Sequence, residues 1–484
     1  MTATQGEHTA PMPVCQQSAM IHTLAALALL GIAEPPVGGE QPAPLDWRQL
    51  EAGALANPHQ LTQRELYIKA GEAYFSPDDR WVIFQAIEPP VAGKEADPFY
   101  AMFVAPVNFN AEGTEMTGLG QAIRVSAPDT ANTCGWFDPV RQGRVIFGST
   151  LTRPADEQKS GFQVGSRRYV WMFPAEMEVV QRGVVPMLEI DTKEGGIAST
   201  SAEASAAIAW QLEQLKKSLS APAPADAVSG FSPGRMKARL TAELLDLDLK
   251  RVEELAAFEK LATPVFSRPN YDAECSYSND GRFILYAHVE PTKAGEKANA
   301  DIYVYDTLTQ KHQPIIVGPG YDGGPFFSPD NKRICYRSDR KGDDLLQLFI
   351  ADLKFENGVP VGIEREYQLT DNGAVNWAPF FHPSSEFLVY GSSAVSHSNY
   401  EIFAIKLEKE KLEAAAKASG PGTIHVTDLS TVRLTHADGA DVLPVFSHDG
   451  RFMMWTSQRG PRVAGEERPS SQLWAARWLG LPAK

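Results

Sequence analysis

Cysteine is scarce in this chain: 484 residues carry four, Cys15, Cys134, Cys275 and Cys335. None forms a Cys-x-x-Cys pair, which excludes the usual zinc and dithiol motifs, and thiols so dispersed do not build a disulfide framework. Cys134, Cys275 and Cys335 lie inside apolar runs and read as small buried side chains, with a single Cys134–Cys275 bridge as the alternative. Basic charge is also short, at 45 Lys and Arg against 60 Asp and Glu, a net charge of −15. No basic stripe is available for a phosphate backbone, so no nucleic-acid partner is expected. An acidic field suits cationic peptides, metal ions or basic proteins instead. Long apolar runs are missing too. The longest, Ala19 to Ala33, falls short of the ~20 residues of a membrane-spanning helix. Its length fits a signal-peptide core ending at the small residues Gly31-Ile32-Ala33, although no Lys or Arg precedes it. A tail with one buried helix is the other reading. Export to the periplasm or cell surface is the expectation.

Catalytic motifs are absent as well: no Gly-x-Ser-x-Gly elbow, His-Glu-x-x-His helix or phosphate-cradling glycine loop occurs. His288, His382, His397, His436 and His448 are scattered, none at ligand spacing with another.

What the chain does contain is a repeat. Six segments share a short apolar run, a Ser/Asp/His-Pro-Asp-like turn and a second β-branched or aromatic run. They begin at Glu72, Cys134, Glu274, Gly324, Ala378 and Leu443. Pro77, Pro139, Pro329 and Pro383 preset φ at the turn, and Asp280-Gly281 and Asp449-Gly450 supply residues that tolerate positive φ. Third strands follow at Asp301-Ile-Tyr, Leu346-Gln-Leu-Phe, Glu401-Ile-Phe and Gln472-Leu-Trp, with Phe99-Tyr-Ala-Met-Phe and Tyr169-Val-Trp-Met-Phe in the first two units. Outer strands end in Gln368-Leu-Thr and Arg433-Leu-Thr. Four antiparallel strands repeated six times predict an all-β, six-bladed β-propeller. The last unit stops at its third strand. A spare outer strand at about His59 to Lys69, carrying the same Gln-Leu-Thr, is placed to complete it and remove the free sheet edge.

The phrases Gly320-Tyr-Asp-Gly-Gly-Pro-Phe-Phe-Ser-Pro-Asp, Asn376-Trp-Ala-Pro-Phe-Phe-His-Pro and Asp438-Gly-Ala-Asp-Val-Leu-Pro-Val-Phe-Ser-His-Asp-Gly carry a resemblance. They resemble the TolB-like, WD40-like (PD40) propeller repeats of periplasmic bacterial proteins, over roughly residues 60–180 and 265–480. The resemblance implies a TolB-like fold used for protein–protein contacts. It says little about activity, and no TolB-type N-terminal domain is recognisable here.

The expected organisation is a signal-like segment and linker at 1–58, blades 1 and 2 with the closing strand at 59–180, a helical insertion at 181–266, and blades 3 to 6 at 267–484. Within the insertion Ile208, Leu212, Leu215 and Leu219 fall at helical spacing, and a second helix is expected from Pro233 to Leu261. It reads either as a lid or docking arm, or as a helix pair packed on the propeller's side.

Aligning the first strands singles out candidate site residues. Two positions before each repeat start stand Ala70, Asn132, Asp272, Asp322, Asn376 and Asp441, and strand alternation puts Glu72 and Glu274 on the same face. The expectation is an acidic ring at the mouth of a water-filled channel. Converging carboxylates repel unless a positive group sits among them, so Ca²⁺ or a basic peptide would suit the ring. Capping of loop backbone by Asp and Asn is the competing reading. Tyr271, Tyr321 and Trp377 would add contact area. The function expected is therefore a non-catalytic scaffold that binds a protein or basic peptide in the cell envelope. The alternatives are a metal-dependent hydrolase or lyase using channel carboxylates, and a structural subunit of an envelope assembly.

Overall fold

A computed structural model describes residues 46–93, 95–155, 161–163, 168–170, 174–188, 201–220, 233–290 and 299–482. The apolar run at 19–33 and Cys15 lie outside them. Among the described residues no helix is long and apolar enough to cross a membrane.

The hairpins form where the turn chemistry places them. Ser76, Ser278, Ser328 and Ser447 each donate to the Asp two residues on, at 2.5, 2.6, 2.6 and 2.7 Å. Each hydroxyl also accepts the backbone N–H five residues on, at 2.9–3.0 Å. The left-handed residue of these turns is Asp79, Gly281, Asn331 or Gly450. Neighbouring turns touch: Asp79 of the first repeat accepts from the backbone N–H of His448 of the last at 2.7 Å.

These hairpins grow into six blades, numbered in chain order. Their first strands are Lys69–Phe75, Asn132–Phe137, Asp272–Tyr277, Asp322–Phe327, Asn376–Phe381 and Asp441–Phe446, and each pairs antiparallel with its second strand. The six-bladed β-propeller expected from the repeats is the fold. Buried Val82, Phe84, Val104, Phe147, Leu348 and Leu388 belong to one core spread over five blades.

The Leu-Thr endings have a defined role. Just beyond the outer strand, the hydroxyl of Thr62, Thr370 or Thr435 accepts the N–H of Leu473, Leu348 or Ile402, at 2.8–2.9 Å. The donors sit near the start of third strands, and Ser126 accepts from Met102 in the same way at 3.0 Å. A buried N–H that the ladder leaves open is thereby satisfied.

Three expectations are corrected. The closing strand is Leu55–Gln60, pairing with Gln472–Trp478, so it ends where the segment beginning at His59 was expected to start. The third strand of blade 2 is Glu178–Gly183; Arg168–Val170 pairs instead with Gly161–Gln163 in a separate two-stranded hairpin. The helical insertion lies inside blade 2 rather than after it, because Thr263–Pro264 returns to pair with Glu178–Gly183 as the outer strand.

Four helices complete the described structure: α1 (Trp47–Glu51), α2 (Ser201–Ser220), α3 (Pro233–Glu259) and α4 (Lys409–Ala418). α2 and α3 bury Ala204, Ile208, Val252 and Leu255 against Val185 and Leu188 of blade 2.

Candidate functional site

Each first strand carries a bulge. Its third residue, counting from the Asp/Asn position, is left-handed: Glu72, Cys134, Glu274, Gly324, Ala378 and Leu443 have φ between 45° and 58°. The pairing register slips at this point in all six blades. A bulge breaks simple alternation, so the two predicted tiers of the acidic ring separate.

The outer tier turns back into the blades. Asp272 bonds His288 at 2.7 Å, Asp322 bonds Arg340 at 3.0 Å, and Asp441 meets Arg459 at 2.5 Å. Asn376 accepts from Ser392 at 2.8 Å, and Asn132 donates to the Tyr100 carbonyl at 2.8 Å. All five are buried, at 5% exposure or less, and form no ligand ring at a channel mouth. Tyr271 and Tyr321 are likewise buried, and Trp377 is half-buried, which corrects their expected role as exposed contacts.

The inner tier meets across the axis. Glu274 accepts from Tyr321 Oη at 2.7 and 2.8 Å, from the Gly324 amide at 2.5 Å and from Arg337 at 3.1 Å. Arg337 comes from the second strand of blade 4 into space that Gly324 leaves, since a Cβ there would overlap the guanidinium. It supplies to Glu274 the positive charge that the sequence reading assigned to a cation. Burial opposes its charge, but Tyr321, Glu274 and Glu72 more than offset that and hold it protonated.

Glu72 has no such partner. It accepts from the Cys134 thiol at 2.8 Å and from Tyr74 Oη at 3.4 Å, and among the described residues no ion pair reaches it. Burial pushes its carboxyl up from the usual range, while Cys134 and the more distant Arg337 act to lower it. Burial and then Glu72 push the Cys134 thiol well above its ordinary value, so it serves as a donor rather than a thiolate nucleophile. Cys134, Cys275 and Cys335 are all free, and the Cys134–Cys275 bridge does not form.

Two residues further along, the axis is filled. Tyr74, Trp136, Phe326 and Phe380, from blades 1, 2, 4 and 5, stack with ring centroids 4.9–6.4 Å apart. Aromatic edges and faces pack favourably at such separations. At this level the expected water-filled channel is an aromatic plug, above which Glu72, Cys134 and Leu443 keep partial exposure.

Arg337 was not among the predicted residues, yet a signal for it exists. Residues at its register in the other blades are Gln85, Gly148, Ala287, Gly391 and Thr456, all small or neutral. A lone cation there, opposite a Gly-Gly pair, marks the exception. A separate cavity of about 660 Å³ beside α4 is lined by mixed charges such as Arg333 and Asp352, which neutralise each other at 2.6 Å. Among the described residues no group of three or more His, Cys, Asp or Glu is arranged to hold a metal ion.

No family model matches the chain. Over 110 residues it is 36% identical to Dipeptidyl-peptidase 5 of Porphyromonas gingivalis, a stretch covering 22% of this chain and 16% of that protein. The chain therefore matches about one sixth of the length of this curated relative. Among solved structures it is similar to TolB from Acinetobacter baumannii, with 13% identity and a TM-score of 0.41, covering 84% of this chain and 65% of that one. It is also similar to oligogalacturonate lyase from Vibrio parahaemolyticus, with 9% identity and a TM-score of 0.38, covering 86% and 92%. The chain is a six-bladed β-propeller with TolB among the structures it is similar to, an assignment carried by its own six sheets and their closure.

Proposed function

We propose that the chain is a non-catalytic binding scaffold that receives a cationic group of a protein or peptide partner at its axis, with Glu72 as the receiving carboxylate. One observation carries this reading. Two axial carboxylates face one guanidinium; Glu274 takes it, and Glu72 is left with a thiol and a distant hydroxyl while keeping partial exposure. An ammonium or guanidinium entering above the aromatic plug would neutralise Glu72 in a poorly solvated place, where an ion pair is stronger than in water.

A peptide is the class of ligand named for the partly similar dipeptidyl-peptidase, which agrees with this choice. Envelope localisation belongs to the same proposal and is supported by the apolar run Ala19 to Ala33. A metal-dependent hydrolase or lyase has less support, since Asp272, Asp322 and Asp441 are each engaged within their own blade.

The test uses tri-lysine and its fully acetylated form as probes in calorimetry on the full chain. Tri-lysine should bind and the acetylated form should not, and Glu72→Gln should weaken binding at least tenfold. Equal binding to the wild type and Glu72→Gln would reduce the effect to general attraction by the net charge of −15. No binding at all would sink the proposal.

A further inference from the structure

α3 is apolar on two opposite sides. One side packs inward through Leu245, Leu249 and Val252. At 100° per residue, Met236, Leu240, Leu244 and Leu247 form a stripe on the other side, and they are 53%, 50%, 62% and 61% exposed. The helix touches blade 2 through its C-terminal part: Arg251 donates to the Gln142 carbonyl, Glu254 pairs with Arg144, and Leu255 lies against Gly183. The stripe lies one to four turns before these contacts. Four large aliphatic side chains in a row, each at least half exposed, do not remain in water without a use.

We propose that this stripe is a self-complementary interface, joining α3 to α3 of a second copy in antiparallel fashion across a two-fold axis near Ala242. The flanking charges choose this occupant. Antiparallel pairing that sets Met236 on the partner's Leu247 also sets Leu240 on the partner's Leu244. On one flank of the stripe stand Lys237 and Asp248, and on the other Arg239 and Glu243. The same axis brings Lys237 onto the partner's Asp248 and Arg239 onto the partner's Glu243, so both flanks match in sign twice over. Arg239 and Glu243 already lie 3.4 Å apart within one helix, and across the axis they would close a four-membered charge ring. A closed two-fold interface requires one patch to fit itself, and this pattern does. A parallel pair turns opposite flanks toward each other and would set Lys237 beside the partner's Arg239, like charge against like. The contact is small for a specific interface, below about 1,200 Å² in total, so the dimer forms and dissociates with concentration.

The experiment is sedimentation equilibrium of the full chain from 1 to 200 μM, with circular dichroism to verify folding of every variant. Wild type should shift from monomer to dimer, and Leu240→Glu/Leu244→Glu should stay monomeric. Lys237→Glu alone and Asp248→Lys alone should each weaken self-association about tenfold by placing like charges opposite each other twice. Mixing these two variants should restore dimers, because each like-charge contact becomes an opposite-charge contact in the mixed pair. A strictly monomeric wild type overturns the proposal, as does dimerisation that survives Leu240→Glu/Leu244→Glu or a mixture that stays as weak as its components. Flotation of a monomeric wild type with anionic phosphatidylglycerol vesicles would also overturn it and assign the stripe to a lipid surface.

Discussion

Gly324→Ala is the most discriminating perturbation of the axial layer. Gly324 sits at φ 58°, the conformation shared by all six bulges, and its missing side chain is the space that Arg337 occupies. Two costs add. A left-handed non-glycine residue costs about 1–2 kcal/mol, and evicting Arg337 leaves Glu274, only 6% exposed, without its cation. Losing one partner of a buried pair costs about 3–5 kcal/mol, so the total is roughly 4–7 kcal/mol. Blade 5 supplies the control, because Ala378 holds the same backbone conformation at φ 52°. Ala378→Gly should change stability by less than about 1 kcal/mol, since relief of the left-handed conformation and loss of one buried methyl group oppose each other. Urea denaturation followed by tryptophan fluorescence gives both values. A triple variant, Gly324→Ala/Arg337→Met/Glu274→Gln, should recover most of the loss by removing both charges. If Gly324→Ala costs no more than about 1.5 kcal/mol, Arg337 can leave freely and the account of the axial charges fails.

Other outcomes follow from the blade interfaces. Glu401 is fully buried, and burial pushes its carboxyl up to about 8, with Thr435 and Arg433 opposing and Asp441 adding to the rise. The folded state therefore holds a proton that the unfolded chain releases above its ordinary value of 4.5. The stability this group contributes is complete below pH 4.5 and is lost as pH rises through about 8. Glu401→Gln should flatten the decline of denaturation midpoint between pH 5 and 8, and an unchanged slope would refute the assignment. Arg459 pairs with Glu51 at 2.8 Å and Asp441 at 2.5 Å, 4.3 Å from the Trp47 ring centroid. Arg459→Met should cost about 3–5 kcal/mol and expose residues 46–60 to limited proteolysis, where wild-type resistance in the variant would count against it. Thr62→Val should cost about 1 kcal/mol through the lost cap on Leu473, measurable in the same urea titrations.

The blades were legible because hairpin chemistry is local. Ser, Asp and a left-handed residue lie within six positions of one another, and the hydrogen bonds by which the Ser hydroxyl closes each turn stay inside that window. Blade 2 was misread where locality failed. Tyr169-Val-Trp-Met-Phe has stronger strand composition than Glu178-Val-Val-Gln-Arg-Gly, but the latter carries the pairing to Arg144–Ser149. Its two-residue outer strand arrives only after the helical hairpin. The axial site was half legible. The alignment of the six first strands matches their register in the fold, yet the sorting of those positions into buried caps and inward groups depends on a bulge. Glu, Cys, Ala and Leu give no hint of one, because none favours the left-handed region. Only Gly324 does. The plug was equally readable as an aromatic at the same offset in four repeats, but mutual contact of those rings requires the ring of blades to be closed.

That closure has a consequence for synthesis. Leu55–Gln60 leaves the ribosome early, while its partner Gln472–Trp478 is made roughly 400 residues later. At the 5–20 residues per second of translation, the interval is on the order of 20–80 s. Throughout it, the first strand has no neighbour on the edge that blade 6 will occupy, and an open edge is a template for foreign chains. The Arg459 latch onto Glu51 cannot form until the same late moment. The nascent propeller is therefore an open arc throughout that interval, held in order by blades already stacked. Its first strand commits only when nearly the last one appears.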